Sequence, residues 1–219
     1  MKNKNILKTL LLVFLTFTLI VHSEAQGQSS SKANELLAKA SKKLKSMPAV
    51  EINFSLVMEN ESQNIKESYN GKAYMKKNLY KLEVMDVINY FDGKFIYSYM
   101  PDMQEVTIKN PTEVQSEMLN PIQLFDIYKK GFTSKFIRHT TKVDYIELTP
   151  TDDTKNFTRI GIWLDAINHS IIRITSFGKE GDNVTITINS IKQPSTIPLD
   201  SFFKFDSSCH SNVEVVDER

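Results

Sequence analysis

Few residues of this 219-residue sequence are typical of catalytic or metal sites. Beyond the first 25 residues, histidines occur at His139, His169 and His210, and no two of them have the spacing of a zinc site on one helix. Cys209 and His210 are neighbouring soft ligands, which we interpret as part of a solvated C-terminal loop. No nucleophile elbow, phosphate-binding loop or dinucleotide fingerprint occurs. We therefore predict a protein that is not an enzyme and that has neither a metal nor a cofactor.

Charge and composition argue against further classes of protein. The 27 Lys and Arg residues are balanced by 26 Asp and Glu residues, whereas proteins that bind duplex nucleic acid usually have a basic excess. The basic residues are also scattered rather than clustered with aromatic residues, which argues against a groove for single strands. A hydrophobic content of 41% argues against disorder. The single cysteine excludes an intramolecular disulfide, so packing has to hold the fold together.

The first 25 residues have the pattern of a secretory signal peptide. Three lysines precede an uncharged apolar run over residues 9–21, and Ser23 and Ala25 provide small residues at the cleavage positions. The apolar run is short for a membrane span, and an uncleaved N-terminal anchor is the alternative. We predict an exported protein that is cleaved near Ala25, with a flexible leader over residues 26–31 and one domain over residues 32–219.

Hydrophobic periodicity predicts that this domain is α+β. Apolar residues between Ala33 and Met47 recur at steps of three and four, which predicts a helix with its N-cap at Ser31. Residues 112–130 are also predicted to be helical, with a break at Pro121 and an end at Gly131. A period of two predicts strands over residues 50–58, 69–76, 79–85, 89–91, 95–99, 104–109, 133–139, 143–148, 157–164, 171–177, 184–191 and 202–205.

Several segments, taken in order, resemble one known family. They are VEINF at 50–54, GKAYMKKNLYK at 71–81, FDGKFIYSYMP at 91–101 followed by QEV at 104–106, LTP at 148–150 and VEVVD at 213–217. With these segments the chain resembles the periplasmic outer-membrane lipoprotein carrier proteins, the LolA-like family. The resemblance covers nearly all of the chain that follows the predicted signal peptide.

The resemblance implies both a fold and a function. The expected fold is an incomplete antiparallel β-barrel, a strongly curved sheet with the N-terminal helix and a helical lid on its concave face. The expected function is that of a periplasmic carrier that holds the acyl chains of lipoproteins and ferries them from the inner towards the outer membrane. The implied partners are acylated lipoproteins, an inner-membrane lipoprotein-releasing transporter and an outer-membrane acceptor. We expect a monomer that binds no nucleic acid.

Candidate residues for this function fall into three groups. The cavity for acyl chains is expected at the inward apolar positions of the strands: Ile52, Phe54, Leu56, Met58, Met75, Leu82, Tyr97 and Val106. The lid is expected to contribute Met118, Leu119, Ile122 and Phe125. In the family, an arginine of a K-R-P stretch is proposed to latch the lid. Lys77 matches that arginine and the proline is missing, so Lys77 is either a weaker latch, because lysine lacks the planar fork, or an ordinary exposed lysine.

Three other interpretations remain open at this point. The inward apolar residues could form a dry packed core, because periodicity does not separate a core from the lining of a cavity. A related domain could bind a glycolipid or act as a sensor, and a protein-interaction module would have a filled interior. The carrier hypothesis instead predicts a lid that packs against the sheet when empty and is displaced by acyl chains, bending at Pro121 and Gly131.

Overall fold

A single long helix precedes the sheet. The computed structural model describes residues 27–111, 120–210 and 212–219, in which residues 27–45 form helix α1. Its apolar side chains face the protein interior, as the spacing predicts; they are Ala33, Leu36, Leu37, Ala40 and Leu44. Residues 27–31, expected to be a flexible leader, are already helical, so Ser31 is not the N-cap. The predicted signal peptide lies outside the described residues and stays a prediction.

Twelve strands follow within the described residues. The first six are β1 (Val50–Asn60), β2 (Ile65–Lys76), β3 (Leu79–Val84), β4 (Val87–Phe91), β5 (Ile96–Met100) and β6 (Glu105–Lys109). The others are β7 (Phe132–His139), β8 (Val143–Pro150), β9 (Phe157–Asp165), β10 (Ile171–Gly178), β11 (Asp182–Lys192) and β12 (Glu214–Asp217). Eleven of the predicted strands are confirmed. The predicted strand at 202–205 is wrong, because the chain there forms a 3-10 turn over Asp200–Phe203.

The strands form one sheet from two antiparallel meanders. The order is β12-β6-β5-β4-β3-β2-β1-β11-β10-β9-β8-β7, so the pairing of β1 with β11 joins the two meanders. Among the described strands, β12 pairs with β6 in parallel and the other pairings are antiparallel. The α+β class is therefore confirmed. β12 and β7 lie at the two edges, and the described strands do not close into a barrel.

The strand order explains why a segment of chain crosses one face of the sheet. β6 lies beside one edge strand, whereas β7 is the opposite edge strand. The chain between them has to travel across the sheet, and its described part contains the short helix α2 (Pro121–Leu124), which contacts β2 and β3, and a 3-10 turn over Ile127–Lys129, which contacts β7. We call residues 120–130 the lid segment.

The two faces of the sheet hold separate apolar clusters. Direct pairing places Ile52, Ala73 and Leu82 in one row on the face that α1 and the lid segment cover, which we call the inner face. Pairing places Tyr90 and Tyr97 in a row on the opposite, outer face. There they pack with Phe205. Residues 193–206, which we call the strap, bring Phe205 across this outer face.

Candidate functional site

A small apolar cavity lies between the inner face and the lid segment. Its volume is about 30 Å³, which is about the share of liquid volume that one water molecule takes. All of its lining residues are apolar; they are Ile52, Phe54, Ala73, Leu82, Pro121, Leu124, Phe125, Ile186 and Ile188. The apolar lining is therefore suited to contact with a hydrocarbon group, but in this structure the space is almost completely filled by protein side chains.

Local sequence explains how the lid segment folds over this cavity. The Asn120 side chain caps α2 by accepting hydrogen bonds from the backbone N–H groups of Ile122 (3.0 Å) and Gln123 (3.2 Å). Pro121 occupies the first turn, where its fixed φ and missing N–H are tolerated. The predicted interruption at Pro121 thus corresponds to the start of a short helix. Gly131 has a φ of +77° just beyond the segment, a conformation that glycine adopts readily.

The Phe54 ring is seated against a glycine on the neighbouring strand. Phe54 of β1 is paired with Gly71 of β2. A Cβ atom at Gly71 would lie 2.2 Å from Cζ of Phe54, so only glycine leaves space for the ring in this position. Because Phe54 lines the cavity, Gly71 helps to set the shape of the cavity floor.

Six of the eight predicted cavity residues lie together on the inner face. Ile52, Phe54 and Leu82 line the cavity itself. Leu56 and Met75 are buried in the same core, and Met58 packs against it while partly exposed. The structure adds Ala73, Leu124, Ile186 and Ile188 to the lining. The alternating residues of β11 predict a strand, but nothing in the local sequence indicates that β11 pairs with β1.

Tyr97 and Val106 are not part of this site, which corrects the prediction of one shared apolar face. Tyr97 pairs with Tyr90, and Val106 pairs with Tyr99, all on the outer face. Both residues are buried in the outer cluster around Phe205. The physical reason is that β5 and β6 are covered on both faces, since the neighbouring Ile96 and Tyr97 are both buried. A period of two cannot identify the inward face of such a strand.

The predicted lid residues are partly described. Phe125 lines the cavity, and Ile122 packs against the inner core while partly exposed. Met118 and Leu119 lie outside the described residues. Leu124, which the sequence pattern does not single out, is buried and lines the cavity beside Phe125.

A polar cluster joins the lid segment to α1. The Asp126 carboxylate accepts a hydrogen bond from the Ser41 hydroxyl (2.7 Å) and forms ion pairs with Lys129 (2.9 Å) and Lys45. Partial burial by itself raises the pKa of Asp126, but the hydrogen bonds from Lys45, Lys129 and Ser41 outweigh that effect and lower its pKa to about 2. Asp126 is therefore ionised at neutral pH, in direct contact with both elements.

The sequence comparison decides the family. The family model described as "Outer membrane lipoprotein carrier protein LolA" matches residues 86–206, which is more than half of the chain. The chain belongs to the LolA family. No curated protein sequence matches the chain.

Solved structures of other proteins share the fold of this chain at low sequence identity. An uncharacterized conserved protein from Thermus thermophilus is 10% identical, with a TM-score of 0.54 over 85% of this chain and 99% of that one. A DUF1329 family protein from Desulfovibrio piger is 11% identical, with a TM-score of 0.50 over 84% and 99%. A LolA superfamily protein from Nitrosomonas europaea is 12% identical, with a TM-score of 0.46 over 79% and 97%. At these identities the first two support the fold alone.

Lys77, which the sequence resemblance matches to the proposed latch arginine of the family, lies in the tight turn between β2 and β3. Its φ is +55° and its side chain is exposed. Within the described residues no hydrogen bond joins Lys77 to the lid segment, and the role of Lys77 as a latch stays a prediction. The neighbouring Lys76 is held by the strap, since it donates to the Pro198 carbonyl (2.6 Å) and pairs with Asp200 (2.8 Å).

Two further properties of this LolA-family chain concern its described residues. In residues 27–111, 120–210 and 212–219, no group of three or more His, Cys, Asp or Glu side chains is arranged to hold a metal ion. None of the helices in those ranges is long and apolar enough to cross a membrane.

Proposed function

We propose that this protein is a periplasmic carrier that shelters the acyl chains of lipoproteins and ferries them from the inner towards the outer membrane. The predicted signal peptide provides export to the periplasm. An inner-membrane lipoprotein-releasing transporter supplies the cargo, and an outer-membrane acceptor receives it. In this proposal the open sheet acts as the incomplete barrel, its inner face holds the acyl chains, and no covalent step occurs.

One observation carries the proposal: a LolA-family chain has an apolar cavity under a segment that has to cross its sheet. An acyl chain in water exposes methylene groups at a cost of about 0.8 kcal/mol each. A carrier offsets this cost by offering apolar surface, and the cavity lining has no polar side chain. Inner-face residues such as Ile52 and Leu82 would contact the cargo directly.

The size of the cavity indicates how cargo would enter. An acyl chain spans about half of a hydrocarbon core that is about 30 Å thick, so it is about 15 Å long. A cavity of about 30 Å³ does not hold such a chain. Binding therefore requires the lid segment to leave the sheet, so that acyl chains replace Leu124 and Phe125. The contacts that the lid segment gives up reduce the net affinity and permit release to an acceptor.

The test compares acylated and unacylated forms of one peptide. The protein from residue 26 onward is mixed with diacylated, triacylated and unacylated versions of a fluorescent lipoprotein N-terminal peptide, and binding is followed by anisotropy. We expect saturable binding of the acylated forms alone. Equal binding of the unacylated peptide, or no binding of any form, would overturn the proposal. Mass spectrometry of lipids that co-purify with the protein would reveal a glycolipid ligand instead.

A protein-interaction module is the second candidate, and two observations favour it. The cavity is nearly filled, as expected for a packed core. In addition, the outer face of β7–β10 carries a row in which Tyr145 stacks on Trp163 (4.6 Å), flanked by the guanidinium groups of Arg138 and Arg173. Trp, Tyr and Arg dominate binding hot spots. This candidate predicts no acyl binding, whereas the carrier predicts that Trp163→Ala leaves acyl-peptide affinity unchanged.

A further inference from the structure

Asp126 connects two elements that have to separate if cargo is to enter. Its carboxylate accepts from Ser41 and pairs with Lys45, which lie one turn apart on α1. Lys129 contacts the same carboxylate from within the lid segment. Among the described residues, Asp126 is the lid residue whose side chain hydrogen-bonds to α1. Two donors on α1 thus hold one acceptor on the lid segment.

The position of this contact links it to the cavity. Asp126 directly follows Phe125, which lines the cavity together with Leu124. The backbone N–H of Asp126 donates to the Gln123 carbonyl (2.9 Å), so the carboxylate is fixed to the end of α2. If α2 moves away from the sheet, the carboxylate leaves Ser41 and Lys45.

The burial of the partners makes separation costly. Ser41 is only 4% exposed. If the lid segment leaves α1, the Ser41 hydroxyl loses its acceptor at a buried position, where water does not readily replace it. The Asp126 side chain is 28% exposed, and its contacts with Lys45 and Lys129 are charge-assisted, a class of hydrogen bond about twice as strong as the neutral one. The contact therefore opposes opening of the lid segment specifically, beyond the apolar packing.

We propose that Asp126 is the latch of the lid segment. It holds the segment against α1 through its hydrogen bond with Ser41 and its ion pair with Lys45. The inference rests on the proposed carrier function and names the residue that controls access to its site. In this proposal the latch is the contact between Asp126 and α1, whereas the family resemblance implies a latch at Lys77. Weakening the latch shifts the population towards the open state, and cargo that binds the open state then binds more tightly.

The experiment measures opening without cargo and binding with cargo. Asp126→Asn and Lys45→Met remove the charge pair from either side, and Ser41→Ala removes the buried donor. Glu35→Gln is the matched control, because it breaks an exposed ion pair with Lys39 (2.6 Å) on the solvent side of α1. Hydrogen exchange is followed at the amides of Leu124, Asp126 and Lys129, which are hydrogen-bonded within the lid segment.

For Asp126→Asn we expect exchange at these amides to rise about tenfold, and affinity for the diacylated peptide to tighten by a similar factor. Lys45→Met and Ser41→Ala should have smaller effects in the same direction, while Glu35→Gln and Lys77→Ala should have none. Unchanged exchange in Asp126→Asn would overturn the latch, as would faster exchange in Lys77→Ala alone.

The two proposals fail in different ways. If wild-type protein binds no acylated peptide, the carrier function fails, whatever the exchange rates are. If wild-type protein binds the peptide but Asp126→Asn opens the lid segment without tightening the binding, the latch is overturned and the carrier function stands.

Discussion

Two segments of this chain cover apolar surface on opposite faces of one sheet, and they cover it in different ways. The lid segment closes the inner face with a four-residue helix, leaves a small cavity and is joined to α1 through Asp126. The strap covers the outer face by placing Phe205 among the rings of Tyr90, Tyr97 and Tyr99. An apolar strand face thus indicates that another segment packs on it, but it does not indicate whether that segment can move away to admit a ligand.

The strap is held by a buried ring, by a lysine of β2 and by the strand that follows it. Phe203 is fully buried, and Lys76 binds both the Pro198 carbonyl and Asp200. Beyond the strap, β12 adds a parallel strand to β6, so the chain is also tied by backbone hydrogen bonds. We therefore expect loss of strap packing to unfold the protein, and loss of lid packing to open it.

The largest expected effect is that of Phe203→Ala. Because this ring is fully buried, its removal leaves a cavity and should lower the free energy of unfolding by about 3–5 kcal/mol. Leu199→Ala is the control in the same strap, since Leu199 is 75% exposed and its loss should change stability by less than about 0.5 kcal/mol. Both are measured by urea denaturation. Similar small losses for the two variants would mean that the strap is not an anchored cover.

A change to the floor of the inner cavity should have the next largest effect. In Gly71→Ala the new methyl group meets the Phe54 ring, which has to shift into the cavity. We expect a loss of about 1–3 kcal/mol in the free energy of unfolding, with weaker binding of acylated peptide. Gly27→Ala is the control, because no atom lies within 4 Å of the added Cβ. Normal acyl affinity in Gly71→Ala would argue that cargo does not use the floor formed by Phe54.

Local sequence patterns predict some parts of this fold well and others not at all. Helix α1 and the hairpins were predictable because their signals are local: in the 92–94 turn, for example, the Asp92 carboxylate accepts from the N–H groups of Lys94 (2.9 Å) and Phe95 (2.8 Å). The pairing of β1 with β11 was not predictable, because Phe54 and Ile188 are far apart in sequence. The resemblance to a family, rather than the period, indicated one continuous sheet.

The candidate site was predictable where a strand is buried on one face only. Ile52, Phe54 and Leu82 alternate with polar residues, so their inward direction was clear. In β6, the neighbouring Val106 and Thr107 are both buried, so alternation of apolar and polar residues does not identify the inward face of this strand. Asp126 was missed for another reason: a carboxylate in an amphipathic segment is usually solvated, and nothing local links it to Ser41.

A titration should distinguish the lid segment from the strap. The pKa of Asp126 is about 2, below its ordinary value of 3.8, so its ionised form stabilises the folded state above about pH 4. That contribution is lost as the pH falls towards 2. We expect wild type to exceed Asp126→Asn by about 1–2 kcal/mol in free energy of unfolding at pH 6, with the difference vanishing near pH 2. A difference that does not depend on pH would show that the charge of Asp126 does not hold the lid segment.

The smallest effect tests the assignment of Tyr97 to the outer face. Its hydroxyl donates to the Asp92 carboxylate (3.0 Å), so Tyr97→Phe should lower the free energy of unfolding by about 1 kcal/mol. The Tyr99 hydroxyl makes no hydrogen bond within the described residues, and Tyr99→Phe is the matched control. Because both rings pack against Phe205 under the strap, neither variant should change acyl-peptide affinity. A photoreactive acyl chain should label inner-face residues such as Leu82; labelling of Tyr97 would place cargo beneath the strap and reverse the roles of the two covers.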